Sequence, residues 1–600
     1  MKHTLTLLTA LLLAPLAALY AADATPTPVK TSVILVNHVG FPPNAAKHCV
    51  IPSPPEKEFT IHQLKDTKWT QVFSGILTEG GAELEPGWIG DFSDLKEDGI
   101  YQVRCGALKS RCFTVYAGVY DVPMRVLFDY FSLVRCGDTT GRSCTGPCHL
   151  DDGNLVGVGH RDFSGGYHQS SDLRKWAWGL NLGLMGLVQF GGIQQPQWDN
   201  GSIAGEVRWG SDFYQKLVRD DGGMYESVFI PIHWGPRDYY PTDPPAPALW
   251  NTIRYQAMVA EYFKISDTAY AAKCRQTAER IWRYMTSGKR PKGLYTPPAM
   301  PPLGHAALNT NFSGFYEGSA QDLAHRMGAA LALYRLTSDA GLLKDAAQSA
   351  TKLVTLQVSD KIEGHLTPLF REGPESDQLA SSLPGFGYFA NGPILLSLCE
   401  MISAAPEHPD APLWKESIRA VSEWYCKIAL HNPWGLVATN FTLRNTPFVI
   451  NKEVAAHTEG FYPGDTIRSR SAGGEDRFTG YQYRRFLYHY DIMLAGLFLN
   501  RAAEITGNNQ YRVVAQRQLD WVMGCNPFDA SAIEGVGYNQ PLRGLFGEFF
   551  PPTPQIPGAV SLGLTAGSFS PDGYGGANEY DMPIVGNVLW LMAEQAKGNR

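Results

Sequence analysis

The chain has 600 residues, 44% of them hydrophobic, 12% aromatic and 18% charged, which excludes a disordered or low-complexity protein. Its net charge of −7, with no basic stripe, excludes a nucleic-acid backbone as partner. The length exceeds one ordinary small domain and suits a large helical ring joined to one small module.

The first element is not part of a fold. Lys2 and His3 precede an apolar run from Leu5 to Leu19, followed by the small residues Ala21 and Ala22. That pattern predicts a secretory signal peptide over residues 1–22, too short to span a bilayer. No Cys follows the run, so no lipid anchor is expected there, and no later segment is long and apolar enough to cross a membrane. The expectation is a soluble, monomeric protein, periplasmic or secreted, with no membrane partner.

Residues 30–117 read as short strands. "TSVILVNHVGF", "KHCVIP", "EFTIHQL", "WTQVFSGIL", "WIGDFSDL", "GIYQVRC" and "CFTVYAG" are separated by Pro, Gly, Asn and Asp turn signals. Strands at that spacing predict an immunoglobulin-like β-sandwich acting as support or spacer. Cys105 and Cys112 flank a turn in it and are candidates for a disulfide in an exported protein.

Residues 120–600 read as helices. About a dozen amphipathic or apolar runs follow one another, from "PMRVLFDYFSLVRCG" through "GEVRWGSDFYQKLVRD" to "MPIVGNVLWLMAEQAKG", with Gly/Pro-rich connections. Successive helical hairpins can close into a double ring whose inner helices surround an apolar axis. The long connections would gather at one mouth, the natural place for a polymer groove. Cys274, Cys399, Cys426 and Cys525 sit singly in these runs and read as buried small hydrophobes.

Three separated stretches carry a resemblance. They are "VILVNHVGFPPNAAKHCVI", "CHLDDG…HRDFSGGYHQSSDLRKW" and "GCNPFDASAIEGVG…PGAVSLG…GGANEYDMP". In order and separation they resemble bacterial family 9 glycoside hydrolases that carry an N-terminal immunoglobulin-like module. The resemblance implies a mainly α fold, an (α/α)6 toroid preceded by a β-sandwich, acting on a β-linked glucan or related polysaccharide without a catalytic cofactor. It also implies an inverting mechanism, in which one carboxylic acid protonates the leaving oxygen and a second carboxylate activates water about 6.5–9.5 Å away. Asp172 matches the base position and Glu579 the acid position. Each has a plainer reading, Asp172 as a helix N-cap and Glu579 as a first-turn Glu favoured by the helix dipole.

The chain departs from the family pattern in places. Where the family places a first Asp that helps to hold the water, this chain has Gln169, which can hydrogen-bond water but brings no charge. The Ala-Gly that usually follows is Ser170-Ser171. The His-His-Arg run of many cellulases is missing, with Arg543 the one candidate to replace its Arg. Glycan clefts are floored by aromatic rings, and the connections offer Trp234, Tyr239 and Tyr240, with His233 and Arg237 beside them, then Tyr316 and Trp434.

Cys136, Cys148, His149 and His168 have the residue types of a structural zinc site, as in some bacterial relatives. His160 and Cys144 compete for the fourth place, and a Cys136–Cys144 or Cys144–Cys148 disulfide is the alternative. Calcium is the other metal considered, through "HLDDGN" and "SAGGEDRF". Rival functions are an exo-acting hydrolase on a modified sugar such as glucosamine oligomers, and a glycan-binding protein on a degenerate scaffold. A polysaccharide lyase using Tyr239 or Tyr240 beside His233 and Arg237 is the last.

Overall fold

The computed structural model describes residues 34–599, apart from 82, 85, 138–152, 156, 168–179, 195–201, 228–237, 241–242, 245, 289–316, 359–366, 377–378, 381–390, 439, 442–480, 483–488, 542–555, 565 and 570–579. Two regions with separate apolar cores follow one another in the chain.

The N-terminal region is a β-sandwich. One sheet has the order β1 (Leu35–Val36), β3 (His48–Ile51), β7 (Trp88–Asp91), β6 (Thr78–Glu79). The other runs β2 (Gly40–Phe41), β10 (Phe113–Val115), β8 (Gly99–Cys105), β4 (Glu58–Lys65), β5 (Lys68–Ile76), with β9 (Leu108–Lys109) paired to β8. Alternation sets the faces: Phe59 and Ile61 of β4 and Tyr101 and Val103 of β8 point into the core with Phe41, Phe92 and Phe113. Asp66 and Thr67, both at positive φ, form the two-residue turn between β4 and β5. The expected disulfide is absent. Cys105 is buried, its thiol 3.5 Å from the Glu56 carbonyl, whereas Cys112 is exposed, and both are free.

Twelve helices are seen among the described residues. They are α1 (Asp121–Leu133), α2 (Leu180–Gln194), α3 (Ser202–Leu217), α4 (Ala246–Phe263), α5 (Thr268–Thr286) and α6 (Ala320–Thr337). Then come α7 (Ala340–Thr355), α8 (Asn391–Ala404), α9 (Ala411–Ala429), α10 (His489–Thr506), α11 (Gln510–Val522) and α12 (Met582–Gly598). The even-numbered helices pack α2–α4–α6–α8–α10–α12 and back to α2, a closed inner ring, with the odd-numbered ones outside it.

Burial explains the sorting. Outer α5 buries a single stripe, Tyr270, Cys274, Thr277, Ile281 and Tyr284, and is capped by Asp267, whose carboxylate accepts the Tyr270 amide. Inner α4 and α12 are buried almost end to end. Cys274, Cys399, Cys426 and Cys525 are all buried, as expected of small apolar residues. The inner helices are not purely apolar, however. Trp250 donates to Asp322 at 2.8 Å and Arg254 pairs with Glu400. Trp250, Asp322 and Arg254 can be buried because each has a polar partner, Arg254 through the half-buried Glu400.

The sandwich is fastened to the ring, so it is a support and not a loose spacer. Asn37 donates to Asp520 at 2.8 Å, His48 Nδ1 lies 3.4 Å from the same carboxylate, and His38 and Arg111 both bind Asp529. Trp434, considered above for sugar stacking, belongs to this seam. Its ring is 1% exposed, packs edge-on to Trp521 and donates Nε1–H to the Leu84 carbonyl. A ring so enclosed has no face to offer a sugar, and that assignment is corrected.

Candidate active site

The six inner helices run parallel. Gly183 of α2 lies against the Met582 carbonyl of α12, and Gly186 lies against Gly586 one turn further along both. Neighbouring pairs around the ring keep this sense: Trp250 of α4 with Asp322 of α6, and Gly392 of α8 with Leu494 of α10. All the inner N-termini therefore open at one end, which carries the positive poles of six helix dipoles. Asp172 lies eight residues before α2 and Glu579 three residues before α12 in the chain. Both carboxyl groups lie outside the described residues.

The nearest described residues before Asp172 and after Glu579, Tyr167 and Tyr580, are linked by one aromatic ladder. Tyr167, five residues before Asp172, meets Phe131 edge-to-face at 6.3 Å. Phe131 meets Tyr130 at 5.8 Å, and Tyr130 meets Tyr580, next to Glu579, at 5.9 Å. All four rings are buried. Tyr167 and Tyr580 thus rest on adjacent residues of α1.

The pieces of the C-terminal motif come together around Tyr580. Ile533 bridges Val560, and Ser561 bridges Tyr580. Gly558, at φ +85°, lies on the Val126 carbonyl of α1, where a Cβ would come within 2.2 Å of that oxygen. Asn526 closes the Asn-Pro turn by donating to the Trp521 and Ala530 carbonyls and accepting the Phe528 and Ala530 amides. His489, at the start of α10, bonds through Nδ1 to the Ser561 carbonyl at 2.7 Å and joins the same end.

A small sheet borders the first motif: β12 (Gly159–His160), β11 (Asn154–Leu155), β14 (Asp238–Tyr240), β13 (Glu226–Ser227). β14 pairs parallel to β11, Tyr239 opposite Leu155, so the proposed subsite stretch is tied to the loop that leads to Tyr167. For Tyr239 and Tyr240 the backbone alone is described. The return from that stretch is anchored at Asp243, which pairs with Arg219 at 2.9 Å and accepts from Tyr284 at 2.5 Å. Burial, then the bond to Asp243, pushes the Tyr284 hydroxyl up to about 12.

A sequence model of Glycosyl hydrolase family 9 matches residues 120–544, and one of the cellulase N-terminal ig-like domain matches residues 29–110. The chain belongs to glycosyl hydrolase family 9. A cellodextrinase from Butyrivibrio fibrisolvens is 22% identical over 535 residues, 84% of this chain and 85% of its own. Endoglucanase D of Acetivibrio thermocellus is 24% identical over 371 residues, 55% of each chain. Two solved structures, a metagenome-derived family 9 endoglucanase and a family 9 protein of Bacteroides ovatus, superpose with a TM-score of 0.64 each, at 19% and 16% identity. They cover 94% and 95% of this chain and 98% and 99% of their own. The expected architecture, a β-sandwich followed by an (α/α)6 toroid, is the one observed, and the protein is a glycoside hydrolase.

Of the family 9 site residues expected above, Asp172, Gln169, Glu579, His233, Trp234, Arg237, Tyr316 and Arg543 lie outside the described residues, as do Cys148, His149 and His168. Cys136 is described. It is buried, and its amide donates to the Gly166 carbonyl at 2.9 Å, beside the bridge between Arg135 and Tyr167. Of the two calcium stretches, "SAGGEDRF" lies outside the described residues, as does "HLDDGN" except for Gly153 and Asn154. The ladder through Tyr130 and Phe131 escaped sequence reading because "DYFSL" is indistinguishable from any apolar helix face.

Proposed function

We propose that the mature protein is an exported, monomeric, inverting hydrolase of β-linked glucan chains, working at the open end of the ring. The observation that carries this reading is the parallel α2–α12 pair, with the ladder from Tyr167 to Tyr580 linking the two carboxylate-bearing segments. Two segments held on one support can keep a base and an acid at the separation that an interposed water requires. Glu579 protonates the leaving glycosidic oxygen, Asp172 takes a proton from the attacking water, and Gln169 holds that water through its amide. The relatives named as endoglucanase and cellodextrinase favour a β-glucan or its oligomers as substrate. Residues 1–22 supply the export signal.

Gln169 in place of an Asp favours a shifted substrate, so glucosamine oligomers belong on the same panel. A structural zinc on Cys136, Cys148, His149 and His168 is proposed beside the base segment. The buried Cys136 thiol fits it, and the backbone bond to Gly166 brings that residue next to the chain entering His168. Metal analysis of the purified protein tests it. Catalysis is tested with Asp172→Asn and Glu579→Gln on soluble cellodextrins, following product anomers by NMR. Each is expected to lose about 10²–10⁴-fold in kcat, with the wild type releasing inverted product. Full activity in Glu579→Gln, or a retained anomer, sinks the assignment.

A further inference from the structure

One face of outer helix α3 grips the segment that leads into Asp172. Lys216 Nζ reaches Asp162 Oδ2 at 2.8 Å, the Ser164 carbonyl at 3.0 Å and the Ser164 hydroxyl at 3.1 Å. Two turns back, Trp209 Nε1 donates to the Gly166 carbonyl at 2.9 Å. Between them the Phe213 ring faces Gly166, at φ +74°, where a Cβ would sit 3.0 Å from the ring carbons. One turn before Trp209, Glu206 accepts the Tyr167 hydroxyl at 3.0 Å. Glu206, Trp209, Phe213 and Lys216 follow at intervals of three and four, so they form one stripe of the helix.

Glu206 is the buried charge in this stripe. Arg135, just beyond the end of α1, meets it through Nη2 at 2.7 Å and Nε at 3.3 Å, and stacks its guanidinium 4.6 Å from the Trp209 ring centre. A buried ion pair is weak evidence for added stability, because desolvation offsets much of the attraction. What it does supply is one fixed arrangement of three elements: α3, the end of α1 and the approach to the base. The same end of α1 carries Tyr130 and Phe131, the rungs that continue to Tyr580 on the acid side.

We infer that Glu206, with Arg135, Trp209 and the Tyr167 hydroxyl, forms a clamp that positions the base segment against the acid segment, so that these are positioning residues for turnover. The inference rests on Asp172 being the base. A displacement of about 1 Å between reacting groups costs roughly 10²-fold in rate. Loosening the clamp therefore lowers kcat while groups that bind distant sugars keep KM.

The test uses Tyr167→Phe, which keeps the ring against Phe131 and removes the hydroxyl, and Trp209→Phe, which keeps an aromatic face for Arg135 and removes the indole donor. Glu206→Gln and Asp172→Asn are measured beside them on a soluble cellodextrin. The expected result is a fall of about tenfold in kcat for Tyr167→Phe and Trp209→Phe, a fraction of the cost of a full displacement. KM stays within twofold, the thermal midpoint barely moves, and the acidic limb of the kcat profile shifts. If Glu206→Gln yields no soluble protein, the two milder variants carry the test. Unchanged kcat in both, with Asp172→Asn inactive, overturns the clamp and leaves the base standing. Full turnover in Asp172→Asn overturns the base instead. A kcat loss that vanishes once rates are scaled to folded protein also overturns the clamp.

Discussion

Two contacts in this molecule fix geometry by opposite means. At the seam between sandwich and ring, side chains carry the contact: Asn37 and His48 reach across to Asp520, which Gln516 of its own helix also binds, and His38 and Arg111 reach across to Asp529. Where α2 crosses α12 beneath the candidate active site, side chains are almost absent and backbone lies on backbone at Gly183, Gly186, Met582 and Gly586. Directional bonds choose one docking between separately built domains, since a slipped register strands buried charges. Glycine contacts choose a distance, since nothing remains to compress.

The largest effect should come from breaking the glycine contact. A Cβ on Gly586 would lie 2.2 Å from the Gly183 carbonyl, so Gly586→Val is expected to cost at least about 3 kcal/mol. Urea unfolding measures this, and an unchanged midpoint would show that the two helices part freely.

The seam should respond next, and with a pH signature. Asp520→Ala strands the Asn37 and Gln516 donors and is expected to cost about 2–4 kcal/mol, whereas Asp520→Asn keeps the single oxygen, Oδ1, to which both of them donate and costs less. Burial raises the Asp520 carboxyl to about 7, with the bonds from Gln516 and Asn37 and the charge of Arg517 opposing it. Burial, then Arg517, holds the His48 imidazole well below its ordinary value. His48 from β3, Asn37 before β2, and Gln516 and Arg517 on α11 face this carboxyl, and the Cys525 thiol lies 3.7 Å from His48. A carboxyl raised on folding contributes stability that is complete below about pH 4 and is lost as pH rises through 7. A depressed imidazole works the other way, its contribution present above about pH 6.5 and lost as pH falls. Between those limits the two slopes cancel. The advantage of wild type over Asp520→Asn should therefore shrink as pH rises from 4 to 7, by at most about 1.4 kcal/mol per unit. A difference independent of pH would mean that the buried carboxylate is charged throughout.

The smallest effect belongs to the surface. Arg419 pairs with Glu416 and Glu423 along exposed α9, yet Arg419→Ala should change stability by no more than about 0.5 kcal/mol, and less in high salt. A loss comparable to that of Asp520→Ala would erase the distinction between seam and surface.

Much of the fold was legible in the chain. The seven strand-like runs each contain a strand, missing only the two-residue β6 and β9, because period-two alternation survives wherever one face is buried. The dozen helical runs correspond to α1–α12 because outer helices need an apolar stripe and inner ones a continuous apolar run. Trp434 was misread for a physical reason. "HNPWGL" is a turn by its Pro and Gly, and only the sandwich laid across it at Leu84 buries the ring. Cys105 and Cys112 were close in sequence, but one thiol entered the core and the other stayed at the surface.

The candidate site divides along the same line. Asp172, Gln169 and Glu579 are candidates from local motifs, since a short run of residues is enough to show their type and order. The partnership of their segments depends on residues far apart in the chain. Tyr167 and Tyr580 are joined through Tyr130 and Phe131, and Glu206 receives Arg135 and Tyr167 together. Composition and periodicity by themselves determined the sandwich, the helices and their burial, because those follow from hydrophobic spacing within one element. Only the tertiary structure decided which elements share a support, because ring closure and glycine contacts set distances that no single stretch of sequence contains.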